Sequence, residues 1–388
     1  MSNNNLEEKK NKRLTERRNL LVSALAVTVI IFIVSLLSLF TGDREYSENE
    51  NRYLQQKPGL SLSSVADGKF MEETEKYLSD QFFLRDSLVR MRTAADIFIG
   101  KKESNGVYIG KNHFLFEKPS AYDKKLVNKT AAAINAVTAN NRKISSYIAI
   151  APNSTEILRD LLPDNAPNTN QQKQIKKIYS KLQGINCIDL VAPLKKSKNP
   201  EKLYYRTDHH WTYSAAKKAF KMISSEMKLD SSKIKYRSMA VTNSFRGTMA
   251  SSSGVFRASD TIKITVAEPE PKYVVSYPEE NKKSSSVFDK SKLDTNSKYE
   301  VFFGGNFPLV KIDTAVKTNK TLLVIKDSYA NCVIPMLIPY YKTIVIIDPR
   351  YYADNIQETI EKESVTDMLW LYNADTFLND TSIYEKLS

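Results

Sequence analysis

Histidine is scarce in this chain, with three residues in 388. A protein so poor in the side chain that titrates nearest neutrality has few places to keep a general base. Cysteine is scarcer still: Cys187 and Cys332 are too few for a disulfide framework and leave either two separate thiols or one bridge. Neither has partners at zinc-site spacing, so a structural metal finds no support. There is no internal repeat. The formal net charge is +13, but no recognisable nucleic-acid-binding motif accompanies it. The lysines are scattered along the whole length, which describes a solvated surface, with attraction to an anionic membrane or acidic wall polymer as the weaker use.

What is present is globular in composition, with 41% hydrophobic and 26% charged residues. The length suits one large domain or two ordinary ones. Leu20 to Phe40 is an uncharged run of about the 20 residues a helix needs to cross a bilayer. Lys9, Lys10, Lys12, Arg13, Arg17 and Arg18 precede it, while Asp43, Glu45, Glu48 and Glu50 follow with only Arg44 to offset them. Positive flanks stay cytoplasmic, so the expectation is an uncleaved single-pass anchor with the rest of the chain outside. A cleaved signal peptide is the rival, but its apolar region is usually shorter and no A-x-A-like site follows. The expected organisation is a cytoplasmic basic N-terminus over 1–19, an anchor over 20–40, a polar stalk over 41–60 and an extracytoplasmic domain over 61–388.

Within that domain, residues 70–91 carry apolar side chains at helical spacing. Val107–Ile109 and Phe114–Phe116 flank a Gly-Lys-Asn-His turn as in a hairpin, with His113 exposed at its tip. From residue 122 helices and short apolar runs alternate: helices near 122–141, 170–183 and 354–364, strands at 145–151, 186–190, 321–325, 343–347 and 367–371. Short continuous apolar strands between helices predict a mostly parallel sheet covered on both faces, an α/β sandwich. Residues 231–300 are richer in Ser, Pro and Lys and read as a loop and hairpin insertion.

Two stretches carry chemistry. Asp208-His209-His210-Trp211 holds two of the three histidines. A helix begins after it, because Ala215, Ala216, Ala219, Phe220, Ile223 and Met227 form one apolar stripe. Lys326-Asp327-Ser328-Tyr329 follows a buried strand and precedes an apolar helical start, so Ser328 is presented at the carboxyl edge of the sheet, where ligands bind. The first amides of such a helix are suited to an oxyanion, although Ser328 would also serve as a plain helix cap. Acyl transfer by serine needs a hydroxyl, a base and an orienting carboxylate, and Ser328, His210 and Asp208 supply those types. A His-His-Asp metal site is the weaker alternative, since its remaining ligands cannot be named. Neighbouring side chains on an extended loop point apart, so only one histidine should face Ser328.

Thr207-Asp208-His209-His210-Trp211 resembles the signature that names the DHHW protein family. An Asp-x-His-Trp block followed by a strand and Asp-Ser also resembles the SGNH-hydrolase-like domains of polysaccharide O-acetylation proteins of the alginate type. Glu50-Asn51-Arg52, residues 80–86 (DQFFLRD) and 347–351 (IDPRY) look like further blocks of that family. The resemblance implies an SGNH/GDSL-like α/β fold with Ser328 as nucleophile, His210 as base and Asp208 as orienting acid. Tyr329, His209, Trp211 and Arg350 are then the oxyanion or supporting residues. Lys326 stands where a glycine is usual, which leaves the oxyanion geometry open. The implied activity is O-acetylation of a cell-surface polysaccharide with no cofactor and with a multi-pass membrane O-acyltransferase as donor partner. An acetylesterase with the same triad and a non-catalytic polysaccharide-binding scaffold remain open. A Ser328 Oγ within about 3.5 Å of a His210 nitrogen, with Asp208 on the other nitrogen, separates catalysis from scaffolding.

Overall fold

A computed structural model describes residues 2–47 and 52–387. Glu50 and Asn51 of the Glu-Asn-Arg block lie outside the described residues. The chain divides into two compact units at Ala95.

The first unit opens with α1 (Ser2–Phe40). It contains a helix long and apolar enough to cross a membrane, as an anchor or as a signal sequence; the most apolar window has a mean hydropathy of 3.0 and none of it is buried by protein. The helices that follow include α2 (Lys69–Asp80) and α3 (Arg85–Phe98). They account for the helical spacing seen over 70–91.

The second unit is built around an eight-stranded sheet, with a small three-stranded antiparallel sheet formed by Glu103–Ser104, Val107–Ile109 and Leu115–Glu117. The strands of the larger sheet are β1 (Ser145–Ala151), β2 (Asn186–Ile188), β5 (Tyr273–Tyr277), β6 (Lys282–Ser284), β7 (Leu309–Thr314), β8 (Thr321–Lys326), β9 (Thr343–Ile347) and β10 (Asp367–Asn373). A separate antiparallel hairpin joins β3 (Lys235–Phe245) to β4 (Asp260–Glu268). The sheet order is β6-β5-β7-β9-β8-β10-β1-β2. The pairs β9–β8, β8–β10, β10–β1 and β1–β2 are parallel, whereas β6–β5, β5–β7 and β7–β9 are antiparallel. The sheet is therefore mixed rather than mostly parallel. The expectation failed on β5 and β7, whose burial alternates because they are covered less completely on one face. Such strands lack the continuous apolar run that betrays a strand buried on both faces. Residues 231–300 thus contribute the two outermost antiparallel strands, β5 and β6, as well as a hairpin.

The parallel strands alternate their side chains between two cores. Leu322, Val324, Ile344, Ile346, Leu369 and Leu371 face one core, which α6 (Tyr213–Glu226) covers with Ala215, Ala216, Ala219 and Ile223. Leu323, Ile325, Val345, Met368 and Trp370 face the other, where α4 (Lys124–Asn140), α5 (Gln171–Tyr179) and α8 (Ile356–Lys362) supply Val127, Ile134, Ile178 and Ile360. Full burial of such side chains stabilises by roughly 1.5–3 kcal/mol each. The effect is to fix the carboxyl end of β8, where Ser328 follows.

Candidate active site

The Asp208 loop is closed at its base and pinned at its crown. Tyr204 and Trp211 form an antiparallel bridge, and the Thr212 amide donates to Leu203 O at 2.8 Å. Asp260, at the start of β4, accepts from the amides of Arg206 and Thr207 and from Thr207 Oγ1, the last at 2.6 Å. With the main chain held at both ends, Asp208 is turned inward and is 2% exposed.

Asp208 Oδ1 accepts from the His210 amide at 2.9 Å and lies 2.6 Å from His210 Nδ1. Its Oδ2 accepts from the Thr248 amide at 2.9 Å and from Thr248 Oγ1 at 3.2 Å. Thr248 opens α7 (Thr248–Ser253). Burial would push the Asp208 carboxyl up, but the neighbouring His209 and His210 and the hydrogen bonds from His210 outweigh it and hold the group below its ordinary range. An ionised carboxylate on Nδ1 directs the other ring nitrogen, Nε2, outward as the acceptor. Ser328 Oγ sits 2.8 Å from that Nε2. The structure thus brings Asp208, His210 and Ser328 into one hydrogen-bonded chain across 118 residues of sequence.

Ser328 follows β8, and the cap of the turn behind it is Asp327, not Ser328: Asp327 Oδ1 accepts from the Tyr329 amide at 2.9 Å and Oδ2 from the Asn373 amide at 2.7 Å. Ser328 is only partly buried. The apolar stretch after it is not a regular helix. Three short 3₁₀ turns, Ser328–Cys332, Ile334–Met336 and Ile338–Tyr340, run in its place, because Pro335 and Pro339 remove amide donors. The helix end expected to hold an oxyanion is therefore reduced to a single turn, and the Tyr329 amide is already committed to Asp327.

Aromatic contacts lock the two stretches together. Trp211 is fully buried, and its Nε1 donates to Tyr329 O at 3.0 Å and contacts Cys332 Sγ at 3.1 Å. The Tyr329 hydroxyl donates to the His209 carbonyl. Tyr299 stacks on the His210 ring, with centroids 3.8 Å apart and planes within 15°.

The family model described as "DHHW protein" matches residues 106–347. The chain belongs to the DHHW family. It is 23% identical over 198 residues to the probable alginate O-acetylase AlgJ of Pseudomonas putida, covering 49% of this chain and 51% of that protein. It is 27% identical over 165 residues to the protein of the same name from Pseudomonas syringae, covering 40% and 42%. The chain thus spans about half the length, or less, of the curated relatives it matches. Among solved structures, a DHHW family protein from Eubacterium siraeum superimposes with a TM-score of 0.61 at 23% identity, covering 73% of this chain and 95% of that one. Bacillus cereus PatB1 with sulfonyl adduct superimposes with a TM-score of 0.62 at 18% identity, covering 72% and 98%. These likenesses establish a shared α/β fold.

The DHHW motif itself is only partly used as expected. His209 and His210 do not point apart: their ring centroids are 3.9 Å apart, because the loop is tightly turned rather than extended. His209 Nδ1 instead meets Thr248 Oγ1 at 2.8 Å. Burial pushes the His209 ring below its ordinary pKa, and a proton on the adjacent His210 adds to this by repulsion, which favours the neutral form of His209. Asp208, His209 and His210 could in principle hold a metal ion. Their donor atoms fit that role poorly, since both His210 nitrogens and His209 Nδ1 already have hydrogen-bond partners. Arg350 grips Asp348 through Nε and Nη2 at 2.8 and 2.6 Å, and none of its hydrogen bonds reaches Ser328 or His210. The buried Lys326 shares that carboxylate at 3.4 Å and donates to Asn306 Oδ1 at 3.1 Å, which gives its charge a partner away from Ser328. The thiols of Cys187, exposed, and Cys332, buried, are unbridged. Burial pushes the Cys332 thiol up to about 11, so it stays protonated.

Sequence reasoning missed four residues: Tyr299, Thr248, Gly247 and Asn373. Asn373 ends β10, the strand paired beside β8, and its Nδ2 is buried with no hydrogen-bond partner. Gly247 backs directly onto Asp208: a Cβ there would lie 2.1 Å from the Asp208 Cβ and 2.2 Å from Oδ2. Gly247→Ala should therefore displace the carboxylate from His210 and lower any Ser328-dependent turnover by more than tenfold. Rates measured beside a thermal melt check this, and an unchanged rate would show that Asp208 tolerates the displacement.

Proposed function

We propose that this DHHW protein is a serine-dependent O-acyltransferase that moves acetyl groups onto a cell-surface polysaccharide. One observation carries the reading: His210 Nε2 lies 2.8 Å from Ser328 Oγ while Nδ1 lies 2.6 Å from Asp208. That spacing meets the geometric requirement for a base-activated nucleophile. The polysaccharide and the acetyl group are taken from relatives named alginate O-acetylase. The mixed α/β sheet with its serine at a strand's carboxyl end fits an SGNH-like domain in which acid and base precede the serine.

In the first half-reaction Ser328 Oγ attacks the donor's acyl carbonyl while its proton passes to His210 Nε2. The ester C–O bond then breaks, and the leaving oxygen takes that proton from His210. In the second, His210 removes the proton from a sugar hydroxyl, whose oxygen attacks the acyl-serine and frees Ser328 with the proton returned. Asp208 stabilises the imidazolium in both. We assign the Ser328 amide and Asn373 Nδ2 to the developing oxyanion; a donor in such a site is worth about 10²–10³ in rate. We also assign α1 as a single-pass anchor that places 61–388 outside the membrane. A multi-pass O-acyltransferase would then deliver the acyl group.

Transfer is distinguished from hydrolysis by offering an activated acetyl ester together with oligosaccharide acceptors. Acetylated sugar should form faster than free acetate. Acetate alone, at a rate indifferent to every acceptor, would make the protein an esterase. Acceptor binding without either product would make it a scaffold.

A further inference from the structure

Exposed large apolar side chains are unevenly spread along the chain beyond α1. Nine lie among the described residues of 41–95 and four among those of 96–388. Part of the first group is ordered as a stripe. Leu84, Leu88 and Met91 are 52%, 47% and 67% exposed, and Ala95 is exposed beyond them. Spacings of three and four put Leu88, Met91 and Ala95 on one side of α3, just beyond Leu84, whereas Thr93, on the opposite side, is 5% exposed. Arg92 is exposed on the stripe's flank.

The Phe83 amide, in the corner between α2 and α3, donates to Ser38 Oγ in the last turn of α1 at 3.0 Å. The corner is held there by further ties. The Arg44 amide donates to Gln81 Oε1 and Gln81 Nε2 donates back to Arg44 O, both at 2.9 Å, and Arg44 pairs with Asp86 at 3.0 Å. Ser38 is two residues short of Phe40, about 3 Å along the axis at the helical rise, so the start of α3 sits at the edge of the apolar run, not above it. Leu84 is held there at φ 61°, a left-handed conformation that costs a leucine energy, with half of its side chain exposed.

We propose that α3 lies in the headgroup layer of the bilayer that α1 crosses, with Leu84, Leu88 and Met91 in the acyl boundary and Arg92 among lipid phosphates. An amphipathic helix at that depth is stabilised by apolar burial and by attraction to anionic lipid. The membrane is the occupant because the hydrogen bond from Phe83 to Ser38 fixes the stripe's start to the end of the span. The first unit is then attached to the bilayer at two places, a span and a surface helix. This rests on reading α1 as a membrane span.

The test uses the full chain with Cys187→Ser, reconstituted in nanodiscs of phosphatidylcholine and phosphatidylglycerol. Single nitroxide labels are introduced through Leu88→Cys and Met91→Cys, with Ile31→Cys as the control for the span and Asp164→Cys as the aqueous control. Collision rates with oxygen and with a water-soluble nickel chelate report depth. The labels at 88 and 91 should favour oxygen several-fold over the label at 164 and approach the label at 31. If the label at 31 reports lipid while those at 88 and 91 match the label at 164, the surface assignment is overturned and the span stands. Shielding at 88 and 91 from both reagents would show a protein contact in place of lipid and equally overturns it. A water-like label at 31 overturns the span and the surface helix together.

Discussion

Ser328→Ala is expected to lower acyl transfer by about 10⁴–10⁶-fold, the cost typical of removing a serine nucleophile or its base. The substitution deletes the hydroxyl that the proposed first half-reaction acylates. It should cost little stability. The Ser328 side chain is partly exposed, its hydrogen bond is to His210, and the turn behind it is capped by Asp327. An unchanged melting temperature beside a lost rate is therefore the expected pair of results. A fall in both would recast Ser328 as a structural residue, and an unchanged rate would remove it from the chemistry.

Asp208→Asn should lower turnover by about 10⁴-fold, with KM changed far less. The carboxylate accepts on both oxygens, from His210 on one side and from Thr248 on the other. An amide has one accepting oxygen and one donating nitrogen, so one side must lose its acceptor. If the nitrogen faces His210, Nδ1 becomes the acceptor and the proton moves to Nε2, where it can no longer receive the Ser328 proton. Steady-state rates over a range of pH check this. A loss confined to KM would mean that Asp208 serves substrate binding and leaves His210 unaffected.

The parts of this site legible from sequence were those carried by rare residues or by strong local pattern. Asp208 and His210 stood out because histidine is nearly absent elsewhere. Ser328 stood out because it follows β8, a strand buried on both faces whose apolar run is unmistakable. Tyr299 and Asn373 gave no such signal: the one stacks on His210 from a Ser- and Lys-rich stretch, and the other ends a strand chosen for its core side. Gly247 is required by a close approach that no local rule encodes, since its own backbone is extended and unstrained. The mixed sheet was missed for a related reason. β5 and β7 bury their side chains in alternation, and that pattern is also produced by a hairpin lying outside the main sheet. Lys326, the apparent departure from a glycine-bearing block, is accommodated by Asp348 and Asn306, which only the folded chain brings to it.

The central claim, that Asp208, His210 and Ser328 act as one nucleophilic unit, is tested most directly by covalent trapping. The protein is treated with phenylmethylsulfonyl fluoride and the modified peptide is identified by mass spectrometry. A single sulfonyl group on Ser328 is expected, absent from Ser328→Ala and formed far more slowly in His210→Ala. A sulfonyl group that appears on another residue, or that forms at the same rate without His210, would contradict it.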